Sequence, residues 1–163
     1  MAITKDQKQN IVQKGAEDIE GSNALIFTDF IGTNVSDLSE LRAQLRETQS
    51  KFKVIKKRLL GVIFKNKKIE VDPLQFDGTL GTVFVKGGVS EAAGSLYRFS
   101  KTHEGFKLLG AYDVEKGELI SQETINAIGS LPPRNELLGQ VVGSIAAPIR
   151  AFMYVLSEKA KKA

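Results

Sequence analysis

Apolar residues occur with two different spacings along the first 130 residues of the chain. In the first, they recur every three or four positions, which is typical of amphipathic helices and predicts helices over 4–20, 35–48, 58–66, 90–101 and 121–128. In the second, they form short continuous or alternating runs, which predict strands over 24–27, 51–55, 81–85, 106–112 and 118–120. Because strands and helices alternate, we expect a two-layer α/β domain with a mixed sheet over 1–130.

Two local patterns refine this prediction. Asn34 follows a glycine turn and precedes a helical stretch, so it is a candidate N-cap, and Asp37 three residues later resembles the acidic member of a capping box. In the strand 51–55 the residues alternate, which predicts that Phe52 and Val54 face the core while the intervening lysines share the opposite face.

The double proline Pro132 and Pro133 is the clearest boundary in the chain, because proline cannot continue a preceding helix. We therefore expect a domain over 1–130, a proline hinge over 131–133 and a C-terminal helix over 134–163. Pro148, inside that helix, is expected to kink it or to divide it into two segments.

The C-terminal helix carries a heptad-like stripe of apolar residues. Six positions spaced alternately four and three apart form it, namely Leu138, Val142, Ile145, Ile149, Phe152 and Leu156. Thirty residues of helix extend about 45 Å, longer than the width of a domain of this size. This length favours an exposed, mobile spine that binds partner helices over the alternative, a helix folded back on its own domain.

Charge is distributed unevenly, although the net charge is only +4. Eight basic residues and no acidic ones lie between positions 51 and 68, and the remainder of the chain is net acidic. Three of these bases, Lys56, Lys57 and Arg58, fall at the start of a predicted helix. Cations there oppose the helix dipole, whereas the free amides of a helix start attract anions. The pattern predicts a phosphate-binding surface, with solvated lysines as the alternative, and the lack of an apolar wedge favours nucleic acid over a membrane.

Several classes of function are excluded by what the sequence lacks. The absence of cysteine excludes disulfides, thiolate metal sites and a cysteine nucleophile, and the single histidine, His103, lies in a polar turn. We expect no catalytic residues, no metal site and no cofactor. We see no apolar run approaching the roughly 20 residues that span a bilayer and no export signal, so we expect a cytoplasmic protein without a membrane partner.

Five stretches, in their order and spacing, resemble one known family over essentially the whole chain. They are ALIFTDFIG (24–32), SELRAQLRE (39–47), FKVIK (52–56) with Leu59 and Leu60, LPPRNELL (131–138), and APIR (147–150) before Val155 and Leu156. The family they resemble is the bacterial stalk-base protein of the large ribosomal subunit, the ribosomal protein L10 family. The basic C-terminus favours the bacterial type, since archaeal and eukaryotic relatives carry an acidic tail.

The resemblance implies a structural role in translation. The N-terminal domain would bind large-subunit rRNA beside ribosomal protein L11. The C-terminal helix would carry dimers of the acidic stalk protein L7/L12, two by our estimate from the position of Pro148, and these dimers would recruit the translational GTPases. The apolar stripe from Leu138 to Leu156 would hold the helices of those dimers.

The resemblance also assigns candidate RNA-binding residues. They are Lys53, Lys56, Lys57, Arg58 and Lys51, with Gly32, Thr33 and Arg42 as weaker candidates. The family usually has Asn-Thr after the first of the three bases at 56–58, whereas this chain has Lys-Arg, which strengthens phosphate binding and removes a specific amide contact. Such contacts position an RNA that is recognised mainly by its shape.

Two other functions stay open at this point. One is a stand-alone RNA-binding factor of the same family, which would act in ribosome assembly or in control of its own messenger. It would need the basic surface but not the apolar stripe. The other is an enzyme for a small molecule, which a well-formed polar pocket around His103 would favour.

Overall fold

The computed structural model describes residues 5–67, 69, 71–76, 78–103 and 105–161. The chain divides into two compact units, Met1–Ser130 and Leu131–Ala163. The helices of the first unit are α1 (Lys5–Glu20), α2 (Val35–Glu47), α3 (Lys57–Asn66), α4 (Val89–Thr102) and α5 (Gln122–Ser130). Its strands are β1 (Ala24–Asp29), β2 (Ser50–Val54), β3 (Leu80–Val85), β4 (Lys107–Asp113) and β5 (Glu118–Ile120), and the second unit contains α6 (Arg134–Lys161). Each predicted element is therefore present; the predicted helix ends at 4, 162 and 163 lie outside the described residues.

The five strands form one sheet in the order β2-β3-β1-β4-β5, and all four pairings are antiparallel. The prediction of an α/β domain is confirmed, but the sheet is not mixed. β1 and β2 run in the same direction, as expected for strands joined through a helix, yet β3 lies between them and pairs antiparallel with both. A parallel pair therefore never forms.

Helices cover both faces of this sheet, so the domain has three layers and not the two predicted. On one face, residues of α2, α4 and α5 pack against alternate residues of β1 and β3, among them Ala24, Ile26 and Val83. On the other face, α1 and α3 pack against Leu25, Phe27 and Phe84. The continuous apolar run of β1 is the sequence signal for this, because a strand buried on both faces loses the alternation of a half-exposed one.

The edge strand β2 departs from the predicted alternation at its end. Phe52 is buried as predicted, but Val54 is 51% exposed, so the prediction that it faces the core is wrong. β2 pairs with β3 on one side and ends at Val54, where the chain turns towards α3. The last side chain of an edge strand thus lies beyond the layer of helices that covers the strand's centre.

The start of α2 is capped as predicted. The Oδ1 atom of Asn34 accepts a hydrogen bond of 2.7 Å from the amide of Val35. Asp37 does not complete a capping box; its carboxylate contacts the hydroxyl of Ser36 and lies 3.4 Å from the Nε2 atom of His103. The N-cap therefore satisfies one orphan amide, while Asp37 joins α2 to the end of α4.

A close contact at Gly129 determines how α5 packs on α4, and it gives a first testable prediction. A Cβ atom at Gly129 would lie 2.7 Å from the Cβ of Tyr97 and 2.9 Å from the carbonyl oxygen of Ala93. We expect Gly129→Ala to lower the free energy of unfolding by about 1–3 kcal/mol through overpacking. Urea unfolding followed by circular dichroism measures this.

Gly94, in the same interface, provides the matched control. A Cβ there would meet the carbonyl oxygen of Gly129 at 3.9 Å, an ordinary contact. Gly94→Ala should therefore be neutral or stabilising by up to about 1 kcal/mol, because alanine favours the helix. Equal urea midpoints for the two variants would show that the close contact does not govern the packing.

The second unit is a single helix of 28 residues, α6, with no buried residue among those described. It runs without a break through Pro148, so of the two alternatives expected for this proline the division into two segments is wrong, and the kink stays a prediction. A proline removes one i to i−4 hydrogen bond, and the rest of the ladder on either side holds the helix together.

By length and composition α6 is able to cross a membrane. Arg150 is the one charged residue between positions 137 and 157, so the expectation that no apolar stretch approaches the length of a bilayer was wrong. A helix that binds partner helices along its whole length passes the same test, so length and composition alone do not distinguish the two.

Candidate nucleic-acid interface and exposed helix

One end of the sheet collects most of the predicted RNA-binding residues. The register pairs Asp29 of β1 with Leu80 of β3 and with Lys107 of β4, and Val54 of β2 with Gly81 of β3. The ends of β1 and β2 and the beginnings of β3 and β4 therefore lie at the same end of the sheet. The loop after β1, which carries Gly32 and Thr33, and the residues after β2, which carry the three bases at 56–58, both leave the sheet there.

The three bases at the start of α3 differ in their freedom to bind a ligand. Lys56 is the N-cap residue, and its exposed side chain leaves the helix start without a side-chain cap. Arg58 is also exposed. Lys57 is half-buried, and its Nζ atom donates a hydrogen bond of 2.5 Å to the carbonyl oxygen of Phe76. The amide of Leu59 donates a 2.8 Å hydrogen bond to the carbonyl of Lys56, so the two cations stand beside the amides of Lys57 and Arg58, which have no partner within the helix.

Lys51 and Lys53 are engaged with the protein itself. The Nζ atom of Lys53 contacts the Oδ2 atom of Asp18 on α1, and the Nζ atom of Lys51 lies 3.8 Å from its Oδ1 atom. The Asp18 side chain is 13% exposed, so this carboxylate is largely shielded from water. The two lysines therefore join β2 to α1, a contact that their exposed fractions of 55% and 40% leave partly accessible.

This ion pair gives a second prediction. We expect Asp18→Asn to lower the free energy of unfolding by roughly 0.5–1 kcal/mol, the range for a partly exposed ion pair. Glu17→Gln, the matched control on the exposed neighbouring residue, should have a smaller effect. Urea unfolding of the full chain measures both, and equal effects would show that the lysines do not bind α1 to the sheet.

The weaker candidates for RNA binding lie in two places, the loop after β1 and the helix α2. Gly32 is exposed with a φ of +81°, which favours glycine, and the hydroxyl of Thr33 donates a 2.8 Å hydrogen bond to the carbonyl of Phe30. Arg42 lies on α2, and its guanidinium is stacked 5.5 Å above the ring of Phe52. Since Phe52 faces α2 and the neighbouring lysines face α1, Arg42 lies on the other side of the sheet from Lys51 and Lys53.

The sequence did not indicate a groove beside the start of α3. It has a volume of about 460 Å³, and its lining includes the exposed Val54 together with Ile11, Leu59 and Lys56. The lining also includes Gly78 and Thr79, just before β3, where the amide of Thr79 donates a 3.0 Å hydrogen bond to Asp29. The residues that form it come from α1, β2, α3 and β3, so no local pattern reveals it.

His103 has a structural position at the end of α4. Its ring stacks on Phe99 with centroids 4.1 Å apart, and its Nε2 atom lies 3.4 Å from Asp37 of α2. A groove beside α4 is lined by Tyr97 and Lys107 among others, and His103 is not one of its lining residues. Among the described residues, no group of three or more potential metal ligands occurs.

The predicted partner-binding residues share one exposed stripe of α6. All six of them are between 47% and 70% exposed. Val141 and Val155 widen the stripe to one side, as their spacing predicts, whereas the exposed Met153 and, on the opposite face of the helix, Tyr154 were not predicted. α6 thus presents a long apolar surface on which none of the described residues is buried.

Comparison with known proteins identifies the family. The family model for ribosomal protein L10 matches residues 3–101. A relative named large ribosomal subunit protein uL10 from Thermotoga petrophila is 32% identical over 161 residues, which cover 95% of this chain and 89% of that protein. The proteins of the same name from Thermotoga neapolitana and Thermoanaerobacter pseudethanolicus are 34% and 32% identical, over 95% and 96% of this chain and 89% and 88% of their own lengths. The predicted family is confirmed, and with it the absence of an enzymatic role: the chain belongs to the ribosomal protein L10 family, whose members are structural components of the cytoplasmic translation machinery.

Proposed function

We propose that the chain forms the base of the stalk of the large ribosomal subunit. In this proposal its first unit binds large-subunit rRNA beside ribosomal protein L11. Its helix α6 carries dimers of the acidic stalk protein L7/L12, two of them, which recruit the translational GTPases. The relatives named as large-subunit proteins support this, because they match the chain over nearly its whole length.

The observation that carries the proposal is the exposure of α6. Its apolar residues, from Leu138 to Leu156, lie on a helix with no buried residue among those described. Burial of apolar surface contributes roughly 25 cal/mol per Å², so a stripe of this length left in water is unfavourable. A heptad spacing is the pattern by which helices pack on other helices. Helical partners are therefore the ligands that this surface fits best.

Protein is a better occupant for this surface than lipid. Arg150 lies near the middle of the apolar stretch, where a membrane would bury its charge at considerable cost. A protein interface can pair that charge at its rim, and an acidic partner complements Arg150 together with Lys159 and Lys161 near the end of α6. This supports the expectation that no membrane takes part.

The support for RNA binding lies at the start of α3. The exposed Lys56 and Arg58 flank first-turn amides without a side-chain cap, an arrangement that suits a phosphate. Gly32 and Thr33 emerge at the same end of the sheet, where the backbone can approach an RNA strand closely. Among the predicted lysines, Lys56 contributes most to the proposed contact, since Lys51 and Lys53 are paired with Asp18.

Sedimentation tests the proposed function as a whole. A tagged full-length chain, expressed in its own host, should sediment with large ribosomal subunits and remain with them at one copy per subunit after washing. Recovery only in light fractions, bound to free RNA or to its own messenger, would contradict a stalk-base role and would favour the stand-alone RNA-binding factor.

A further inference from the structure

We propose that the groove beside the start of α3 binds one unpaired nucleotide of an RNA. The base would lie on the apolar floor around Val54, and its phosphate would lie against Lys56 and the first amides of α3. This inference rests on the proposed RNA binding of the first unit and adds a ligand class, an unstacked nucleotide, to it.

The floor of the groove is apolar and accessible. Val54 is 51% exposed at the end of β2, and Leu59 and Ile11 line the same groove. The volume of about 460 Å³ lies within the roughly 300–1,000 Å³ that is typical of small-molecule sites. Such a surface suits the flat, weakly hydrated face of a nucleobase, which enzymes and RNA-binding proteins hold between apolar or aromatic side chains.

The walls of the groove are held in place by hydrogen bonds that span long stretches of sequence. Lys57, one of the lining residues, donates to the carbonyl of Phe76, which fixes its side chain. Asp29 accepts from the amide of Thr79, another lining residue, and its carboxylate fills the space that a Cβ of Gly78 would need. The groove is therefore already formed without a ligand, which reduces the entropy lost on binding.

The charges of the lining select the ligand. Of its nine described lining residues, the charged ones are Lys56 and Lys57, and the carboxylate of Asp29 behind the lining accepts hydrogen bonds from the amides of Ile31 and Thr79. Because Lys57 is already bonded to Phe76, Lys56 is the cation left for a ligand, and it stands at the helix start where a phosphate is stabilised. An apolar floor with one phosphate site at its end matches a nucleotide. A base that is stacked in a duplex cannot enter, so the nucleotide must be unpaired.

The test compares substitutions in the full chain for their effect on binding to purified large-subunit rRNA. We expect Val54→Asn to weaken binding about fivefold without changing the slope of affinity against salt, because a base contact releases no counterions. Lys56→Ala should also weaken binding, but with a slope reduced by about one. Leu119→Asn, at a similarly exposed position of β5 on the opposite edge of the sheet, is the control and should bind as the unaltered chain does.

The outcomes separate this inference from the proposed function. If Val54→Asn binds as tightly as the unaltered chain while Lys56→Ala binds more weakly, the base site is overturned and RNA binding stands. The same holds if the slope changes with Val54→Asn, since the residue would then act through phosphate contacts. If the unaltered chain shows no affinity for the rRNA, both are overturned.

A second measurement does not depend on any substitution. Nuclear magnetic resonance of the isotope-labelled full chain compares adenosine 5′-monophosphate with ribose 5-phosphate. We expect the nucleotide to shift the methyl signals of Val54 and Leu59 and the amide signals of Lys57 and Arg58, and the sugar phosphate to shift the amide signals alone. Identical shifts with both probes would show that the base does not enter the groove and would overturn the inference.

Discussion

Replacing Ile145 and Phe152 together with aspartate is expected to release the acidic stalk proteins from large ribosomal subunits while the first unit stays folded. Both side chains are exposed on α6, at 70% and 64%, so their loss removes little packing within the chain. In a complex with partner helices they would be buried, and two unpaired carboxylates would then lie in an apolar interface. We expect affinity to fall by more than about 100-fold, which corresponds to roughly 2.7 kcal/mol.

The control places the same charges on the other side of the same helix. Gln140 and Ala147 are also exposed and seven residues apart, but they lie outside the apolar stripe. Gln140→Asp with Ala147→Asp should retain the stalk proteins. Quantitative mass spectrometry of purified subunits counts the copies retained by each variant. Equal release by both pairs would show that charge repulsion, and not the stripe, governs binding, and retention by both would remove the stripe from the interface.

Replacing Lys56 and Arg58 with alanine is expected to weaken rRNA binding about 10- to 100-fold near physiological salt. Each of these cations stands free at the start of α3, so each is placed to neutralise one phosphate. The logarithm of affinity should therefore fall less steeply with the logarithm of salt concentration, by about two in slope. Filter binding over a series of salt concentrations measures both quantities.

Lys51 and Lys53 offer a control of equal charge. Because Asp18 is paired with both, replacing them with alanine removes cations that the protein already neutralises in part. We expect the slope to change by less than it does for the pair at the start of α3. An unchanged slope after loss of Lys56 and Arg58 would exclude them from the RNA surface. Equal changes for the two pairs would show that the ion pairs with Asp18 do not reduce the contribution of Lys51 and Lys53 to RNA binding.

The secondary structure was predictable because each element carries its own local signal. The continuous apolar run of β1, the N-cap at Asn34 and the spacing of α6 all depend on near neighbours in sequence. The layering was not predicted, since the arrangement of strands is decided by pairing between distant segments. β3 lies between β1 and β2, and that placement removes the parallel pair that these two strands would otherwise form.

The site was predictable to a smaller degree, for a related reason. The cluster of bases is visible in the sequence, but which of them are free depends on contacts with distant residues. Asp18 lies 35 positions before Lys53, and Phe76 lies 19 positions after Lys57. Some lysines predicted to be free are thus paired, whereas Val54, which alternation predicts to be buried, is exposed because it lies at the end of an edge strand.

The most direct test of the central claim is a native mass spectrum of the tagged full-length chain. The chain would be purified from the lysate of its host after nuclease treatment and a high-salt wash, alongside a chain that ends at residue 133. The proposed role predicts a complex of the 17.8 kDa chain with four copies of one small acidic protein, arranged as two dimers, and the shortened chain alone. If the full-length chain also emerges alone, α6 does not carry stalk dimers and the account of this protein as a stalk base is contradicted.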